Sequence, residues 1–435
     1  MKNNLIGTMV ALGALSAFGF GIGLSGQAKA DPVADFYKSA RIKFIISAGT
    51  GGGYSTYSRT FIRWMSRYVP GKPTIRPQHM QGAGGIVAAN YLYHRAKKDG
   101  SEMAMIHRGA VSTVPLYRKK GIKYNPTKFS WIGSIDTSTS YCVSWHTSPI
   151  KSPNDLKTKV FIAGGLGPGA NTDIFSHLLN NLFGTKIQLI TGYGSGDAMN
   201  LAMERGEIQG RCSWSLASMR ATRRQWLDDK KITFLLEIGL KPSNKVPGLP
   251  IITDFVKNKR QQQILELLLA AQLMGRPMLA PPGVPAVRLA ALRKAFDLTV
   301  KDPTFVKHME TIGLGVSPLP GVEIGALLKR IYATPQDVIT AAGLATKSQG
   351  KTKVTVKAPV VIKPHNTKLT DIKRGGRALH FKGKDGSAHK AKVSGSRTKV
   401  FIKGKKTKRK NLKVGMACAI TYPGNGAEAK SVVCN

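Results

Sequence analysis

Three consecutive glycines, Gly51, Gly52 and Gly53, stand between an apolar run, Phe44-Ile45-Ile46, and a stretch whose Tyr57, Phe61, Ile62, Met65 and Val69 recur at helical spacing. Glycine lets a backbone come close to a bound group, and a helix N-terminus offers unpaired N–H groups with a partial positive charge. The junction is therefore suited to holding an anion. The same design recurs in "QGAGGIVAANYLY" from Gln81, "FIAGGLGPGANTDIFSHLLNNLFG" from Phe161 and "LITGYGSGDAMNLAMERGEI" from Leu189. A single glycine turn can be purely steric; four in one chain favour a site. None is a phosphate-binding P-loop or a dinucleotide fingerprint, so a small anion fits better than a nucleotide. No nucleophile elbow, zinc-protease motif or paired His and Cys spacing occurs. His107 beside Arg108, and Asp136 after Ser134, could be posed as a catalytic group, but lining a pocket or ending a strand is the simpler role. A non-enzymatic protein with no cofactor and no metal is expected.

The elements that must position these loops alternate from Asp31 to about Ala341: apolar strands, then helical periods, which indicate an α/β architecture with mainly parallel strands. Ahead of them, Lys2, the apolar stretch Leu5 to Leu24 and the small residues of Ala28-Lys29-Ala30 before Asp31 read as a cleaved secretory leader, with an uncleaved anchor as the alternative. Export to the periplasm follows. The formal net charge of +43 is uneven, since the segment from Lys351 onward holds 22 Lys and Arg against Asp371, Asp385 and Glu428. Four cysteines, Cys142, Cys212, Cys418 and Cys434, lack metal-site spacing. Divided two and two between body and tail, they suggest one bridge in each in an oxidising compartment.

Taken together, "AGTGGGYSTYSRTFIRWMSRYVPGKPTI", "QHMQGAGGIVAANYLYHRAKKDG", "HRGAV", "WIGSIDTSTS", "SPNDLK", "GPGANTDIFSHLLNNLFG", "GYGSGDAMNLAMERGEIQG", "APPGVPAVRLAALRKAF" and "IYATPQDVI" occur in one order over residues 38 to 340. That stretch resembles the Bug family, the substrate-binding receptors of tripartite tricarboxylate transporters. The resemblance implies a two-lobed Venus-flytrap periplasmic binding protein, type II-like, that closes on a carboxylate and presents it to a membrane permease. It implies lobe one over residues 31–136 and 276–345 and lobe two over 137–275, and a monomer is expected. The family's binding loops map onto Gly51, Gly52, Gly53, Tyr54 and Ser55, and onto Ala83, Gly84 and Gly85, with Arg108, Ser134, Asp136 and Thr137 nearby. From lobe two they map onto Gly167, Pro168, Gly169, Ala170, Asn171 and Thr172, onto Tyr193, Gly194 and Ser195, and onto Ser213. The family commonly carries an acid just after the glycine loop, where this chain has Ser55. Without that charge a non-amino acid is favoured, di- or tricarboxylic, although Ser55 can equally serve as a helix cap. Arg108 is either a bidentate carboxylate partner or an outward-pointing surface residue. Trp214, in "RCSWS", is the preferred pocket aromatic among five tryptophans otherwise assigned to the core. Cys142 and Cys212 fall on lobe-two strands, to be bridged or left as buried thiols.

Beyond a polar linker at 346–360, the period changes from helical to alternating, and residues 361–435 read as a small basic β domain. Leu412, Val414, Met416, Cys418, Ile420 and Tyr422 mark one face of a strand. The "PGNG" from Pro423 to Gly426 reads as a turn that sets Cys418 opposite Cys434 and Ile420 opposite Val432. The charge-rich "FIKGKKTKRKNLK" from Phe401 falls in a hairpin loop. It could bind an envelope polyanion, or its lysines could serve solubility alone; nucleic acid is disfavoured by the export signal and by few aromatics. The leading function is receptor capture of a carboxylate. The alternative is an envelope-associated sensor or adaptor whose basic domain binds a polyanion.

Overall fold

The computed structural model describes residues 31–243, 245–348, 365–383, 386–395, 398–422, 426, 428–429 and 431–435. The expected leader at 1–30, most of the linker and the turn at Pro423 lie outside the described residues.

Two α/β lobes and a further β sheet make up the described residues. In lobe one, Ile42–Ile46 buries Ile42, Phe44, Ile45 and Ile46, while the half-buried Lys43 pairs with Glu102 at 3.0 Å; the strand runs parallel to Ile75–His79 and Glu102–Met105. Pro277–Ala280 then enters antiparallel between Glu102–Met105 and Ser130–Ser134, with Leu319–Pro320 at the edge. Lobe two has the sheet order Ile187–Ile190, Phe161–Gly164, Gly210–Trp214, Ser140–Trp145, Ile232–Ile238. There Ser140–Trp145 runs antiparallel to both neighbours. The sheets are therefore mixed, not mainly parallel. The reason is topological: a strand that returns from the other lobe inserts against the direction set by the local strand-helix-strand units. The two crossing segments lie side by side, with Gly275 N–H bonding Asp136 O at 2.7 Å and Ser138 N–H bonding Gln272 O at 3.0 Å.

The helix Gly53–Met65 buries Tyr57, Phe61, Ile62 and Met65 against lobe one. Phe61 packs on Phe296 and Phe305, with ring centres 5.4 and 5.7 Å apart, and full burial of such a ring stabilises by roughly 1.5–3 kcal/mol. Lobe two packs Trp145, Trp214 and Trp226 with Met199 and Met203. Cys142 and Cys212 pair across neighbouring strands and form a disulfide. Among the described residues no helix is long and apolar enough to cross a membrane.

The C-terminal sheet has seven strands in the order Ala388–Lys392, Ala378–Lys382, His365–Lys373, Ala417–Thr421, Ser431–Cys434, Lys399–Ile402, Lys405–Lys406. Cys418 stands opposite Cys434, to which it is bonded, and Ile420 opposite Val432, as the symmetric pairing required. The expected strand face is shorter than the alternation from Leu412 suggested. Arg409–Asn411 forms a 3-10 turn, Val414 is exposed, and pairing begins at Ala417. The basic segment is a tight hairpin, because Lys403 and Gly404 both take positive φ, so its charges ride on strand and turn and not on one long loop.

Candidate anion-binding cleft

Four helix N-termini converge on one cavity between the lobes, contributed by Gly52 and Gly53, by Ala170, Asn171 and Thr172, by Gly196, and by Ser215 and Ser218. Ser195 and Ser215 cap their helices, accepting from Ala198 N–H at 3.1 Å and Ser218 N–H at 3.3 Å. Gly52 caps with no side chain, which leaves the first N–H groups of its helix available. The glycines are needed for proximity: a Cβ at Gly53 would lie 2.1 Å from Ser218 Oγ on the opposite lobe, and Gly51 takes φ +84°. Closed as it is here, the cavity holds about 80 Å³, room for several water molecules.

Three arginines line it, Arg108, Arg211 and Arg276, with 5, 5 and 4% exposure. Arg108 donates to Ser138 O at 3.2 Å and Ser140 Oγ at 2.8 Å. Arg211 donates to Gly196 O at 3.2 Å and stacks on Trp214, its guanidinium carbon 4.6 Å from the ring centre. Arg276 donates to Ser215 Oγ and Ser218 Oγ across the lobes, at 3.3 and 2.9 Å, and lies over Tyr54 and Tyr57 at 4.8 and 4.6 Å. In all three the Nε is buried without a partner. Among the described residues no carboxylate forms an ion pair with any of them. Burial accordingly lowers Arg108 to about 10 and Arg211 to about 9, because the charged form is the one penalised. Burial and the three arginines lower His107 to about 3. The ring is set beside Ser47 Oγ at 3.3 Å and edge-on to Tyr54, and among the described residues no carboxylate bonds it.

Of the residues singled out in the sequence, Gly52, Gly53, Tyr54, Arg108, Ala170, Asn171, Thr172, Ser213 and Trp214 line this cavity. Arg108 points inward and is not a surface residue. Others lie where the lobes meet: Gly169 N–H bonds Ala83 O at 3.1 Å, Gly49 N–H bonds Gly194 O at 2.9 Å, and a Cβ at Gly84 would strike the Gly167 carbonyl and the Ala170 N. Gly51 packs on Asp197, Gly85 on His107, and Ser195 acts as a cap. Pro168 lines a separate cavity, and Tyr193 is half-buried, its N–H bonding Gly165 O. Ser134 and Asp136 brace the crossing: Ser134 Oγ accepts from Arg276 N–H and Asp136 from the Tyr57 hydroxyl at 3.2 Å, while Thr137 bonds Ser317 at the surface. Ser55 is buried at the third residue of its helix, outside the cavity lining. The capping role weighed for it is corrected, because the chain is already helical from Gly53 and Gly52 holds the cap position. Arg211, Arg276, Ser138, Ser140, Ser215 and Ser218 were missed. No local signal marked Arg276, which lies between Gly275 and Pro277, and the adjacency of Arg211 to the Cys-Ser-Trp singled out does not say that it is buried.

No family model matches the chain. A UPF0065 protein from the TAR-I ttuE-ttuC' intergenic region of Agrobacterium vitis is 24% identical over 286 residues, covering 64% of this chain and 77% of that protein. Among solved structures, the periplasmic binding protein BugD superposes with a TM-score of 0.59 at 19% identity, covering 70% of this chain and 98% of its own. MatC from Rhodopseudomonas palustris, solved with malate, gives 0.57 at 18% identity over 69% of this chain and 99% of its own. The chain shares the two-lobed fold of these periplasmic binding proteins. A second R. palustris structure, with adipate, gives 0.56 at 16% identity over 70 and 98%. Each of these structural neighbours is covered almost whole while nearly a third of this chain is left over, so the shared fold stops short of the full chain.

Proposed function

We propose that this chain is a non-enzymatic periplasmic receptor that captures a small carboxylate, di- or tricarboxylic, between its lobes and delivers it to a tripartite tricarboxylate-type permease. The observation that carries the reading is the convergence of four helix N-termini and three buried arginines on one cleft between the lobes. The neighbours solved with malate and adipate support it, since both ligands are dicarboxylates. Lobe one is assigned to residues 31–136 and 276–345 and lobe two to 137–275, with 346–360 as linker and 361–435 as the basic β domain. In this scheme opening separates the Gly49–Gly194 and Gly169–Ala83 contacts, and closure on the ligand restores them and excludes water from the guanidinium groups.

The test is thermal unfolding of the mature chain, freed of co-purified ligand, with mono-, di- and tricarboxylates, amino acids and aromatic acids. A ligand of the folded state raises the melting temperature, by an amount equivalent to about 2.7 kcal/mol at a hundredfold excess over Kd. A saturable rise with one class of carboxylate is expected. No rise with any carboxylate would overturn the reading.

The polyanion reading of the C-terminal domain keeps one supporting observation, a groove lined by Lys406, Lys408, Arg409 and Lys410 with no acidic residue among its lining. Salt-sensitive retention on a polyanion column, removed by charge-neutral replacements at these four positions, would separate it from cleft binding.

A further inference from the structure

A single turn of chain divides two cavities. Ala170, Asn171 and Thr172, at the start of the helix Asn171–Phe183, line the cleft, while Pro168, Asp173 and Ile174 from the same turn line a second cavity. The second holds about 880 Å³, within the range of sites that take a small organic molecule. Its facing walls are the segment from Leu116 to Lys120, in lobe one, and the helix Gln336–Ala345. That helix joins the lobes. A Cβ at Gly343 would lie 3.0 Å from the Cβ of Tyr117 on lobe one, whereas Asp337 pairs with Arg260 at 2.6 Å and Ala345 O accepts from Asn181 at 2.8 Å, both partners belonging to lobe two.

The lining is divided by polarity. Ile174 and Ile339 are buried in the wall and Leu116 and Leu189 half-buried, while Lys119, Lys120 and Lys347 are exposed at the edge with Arg118 half-buried beside Lys119. Among the described residues no carboxylate forms an ion pair with any of these four cations, and Arg118 Nε is buried without a partner. The carboxylate in the lining is Asp173, which is buried and already accepts from the Gly167 N–H at 2.9 Å and from the hydroxyls of Thr172 and Thr191. Its charge is engaged inside the wall and leaves the lysines at the edge unbalanced.

We propose that this cavity is a second ligand site, taking an amphipathic monoanion whose hydrocarbon body lies on the isoleucine and leucine walls and whose carboxylate meets the lysines at the edge. The hydrocarbon gains by leaving water in proportion to the area it covers, and the head group stays where it keeps part of its hydration, away from Asp173. Because both lobes line the cavity, it has this shape in the closed arrangement, and an occupant stabilises closure. The effect on closure rests on the two-lobed scheme above, whereas the site itself does not.

The experiment is titration calorimetry of the mature chain with butyrate, hexanoate, octanoate and, as the uncharged control, octanol, all below micelle-forming concentration. Octanoate is expected to bind at least about 30-fold more tightly than butyrate, since each buried methylene is worth up to about fourfold. Thr340 lines the cavity from an exposed position, and its hydroxyl bonds Gln336 O within its own helix. Thr340→Trp should therefore fill the space, lower octanoate affinity at least about tenfold and leave the melting temperature unchanged. Replacing Lys119, Lys120 and Lys347 together by Gln should cost octanoate about tenfold and octanol less than about twofold. The Gly49 amide, outside the cavity and bonded across the lobes to Gly194 O at 2.9 Å, should exchange its hydrogen at least about threefold more slowly with octanoate bound, and Thr340→Trp should abolish that slowing. Octanoate binding no tighter than butyrate, or undiminished in Thr340→Trp and in the lysine variant, would overturn the site. Octanoate binding with unchanged exchange at Gly49 would overturn its effect on closure. If Thr340→Trp fails to fold, the chain-length series and the lysine variant still decide the matter, because these lysines lie outside the cleft.

Discussion

His107 is held neutral by burial and by the three arginines around it, with its folded-state value lowered to about 3 from an ordinary 6.5. The sign of the consequence follows from proton counting. Above pH 6.5 the ring is neutral folded or unfolded and its environment exacts no pH-dependent cost. As pH falls from 6.5 towards 3 the unfolded chain takes up a proton that the folded chain refuses, so stability drops by about 1.4 kcal/mol per pH unit. Denaturant unfolding at pH 7 and pH 4.5 should therefore show a smaller loss for His107→Gln than for wild type. Equal losses would show that His107 does take its proton in the folded state. At Gly53 the constraint is space instead of charge. An alanine Cβ would lie 2.1 Å from Ser218 Oγ and 2.8 Å from its Cβ, atoms that belong to the other lobe. Gly53→Ala is expected to weaken ligand binding by at least about tenfold with little change in ligand-free melting temperature, because the clash exists where the lobes close. Unchanged affinity would mean that the closed contact is not used in binding.

At the scale of elements, the cleft depends on strand ends that turn directly into helices, and lobe two ties one of these to the crossing strand with a crosslink. The Cys142–Cys212 bond joins the crossing strand Ser140–Trp145 to Gly210–Trp214, the strand that carries Arg211, Ser213 and Trp214 into the cavity. The second crosslink, Cys418–Cys434, spans 16 residues and stiffens a sheet with a small core built on Leu369, Leu379, Phe381, Ile420 and Val432. A loop of that length is worth about 3 kcal/mol in the chain-entropy account. The double replacement Cys418→Ser and Cys434→Ser should destabilise the C-terminal sheet by about that amount, read as earlier hydrogen exchange in residues 365–435. Ligand affinity in the cleft should stay the same. Loss of affinity would show that sheet and cleft are coupled.

For the whole molecule, both the order of the elements and the family resemblance were legible in the chain, because local periodicity and glycine placement are local properties. The register of Cys418 with Cys434 and of Ile420 with Val432 was legible for the same reason, since a hairpin is set by its turn and its alternation. The mixed sense of the sheets was not, since the direction of Pro277–Ala280 is fixed by a return from the other lobe and not by its own residues. Among site residues, the glycine loops could be read from their spacing, whereas Arg211 and Arg276 could not. In a chain of 22 arginines, one destined for a buried cavity has the same letter as those exposed to water.

The sequence by itself determined the alternation of strands and helices, the four glycine junctions, the pairing of Cys418 with Cys434 and the separateness of a basic C-terminal segment, all of which follow from neighbours along the chain. The tertiary structure alone decided which junctions meet. It set Gly52, Asn171, Gly196 and Ser215 around one space, turned Ala83 and Gly194 to the contacts between lobes, and brought Arg108, Arg211 and Arg276 together without a carboxylate on the cavity wall. Burial and charge balance are sums over residues distant in sequence, and they take a value only once the chain is folded.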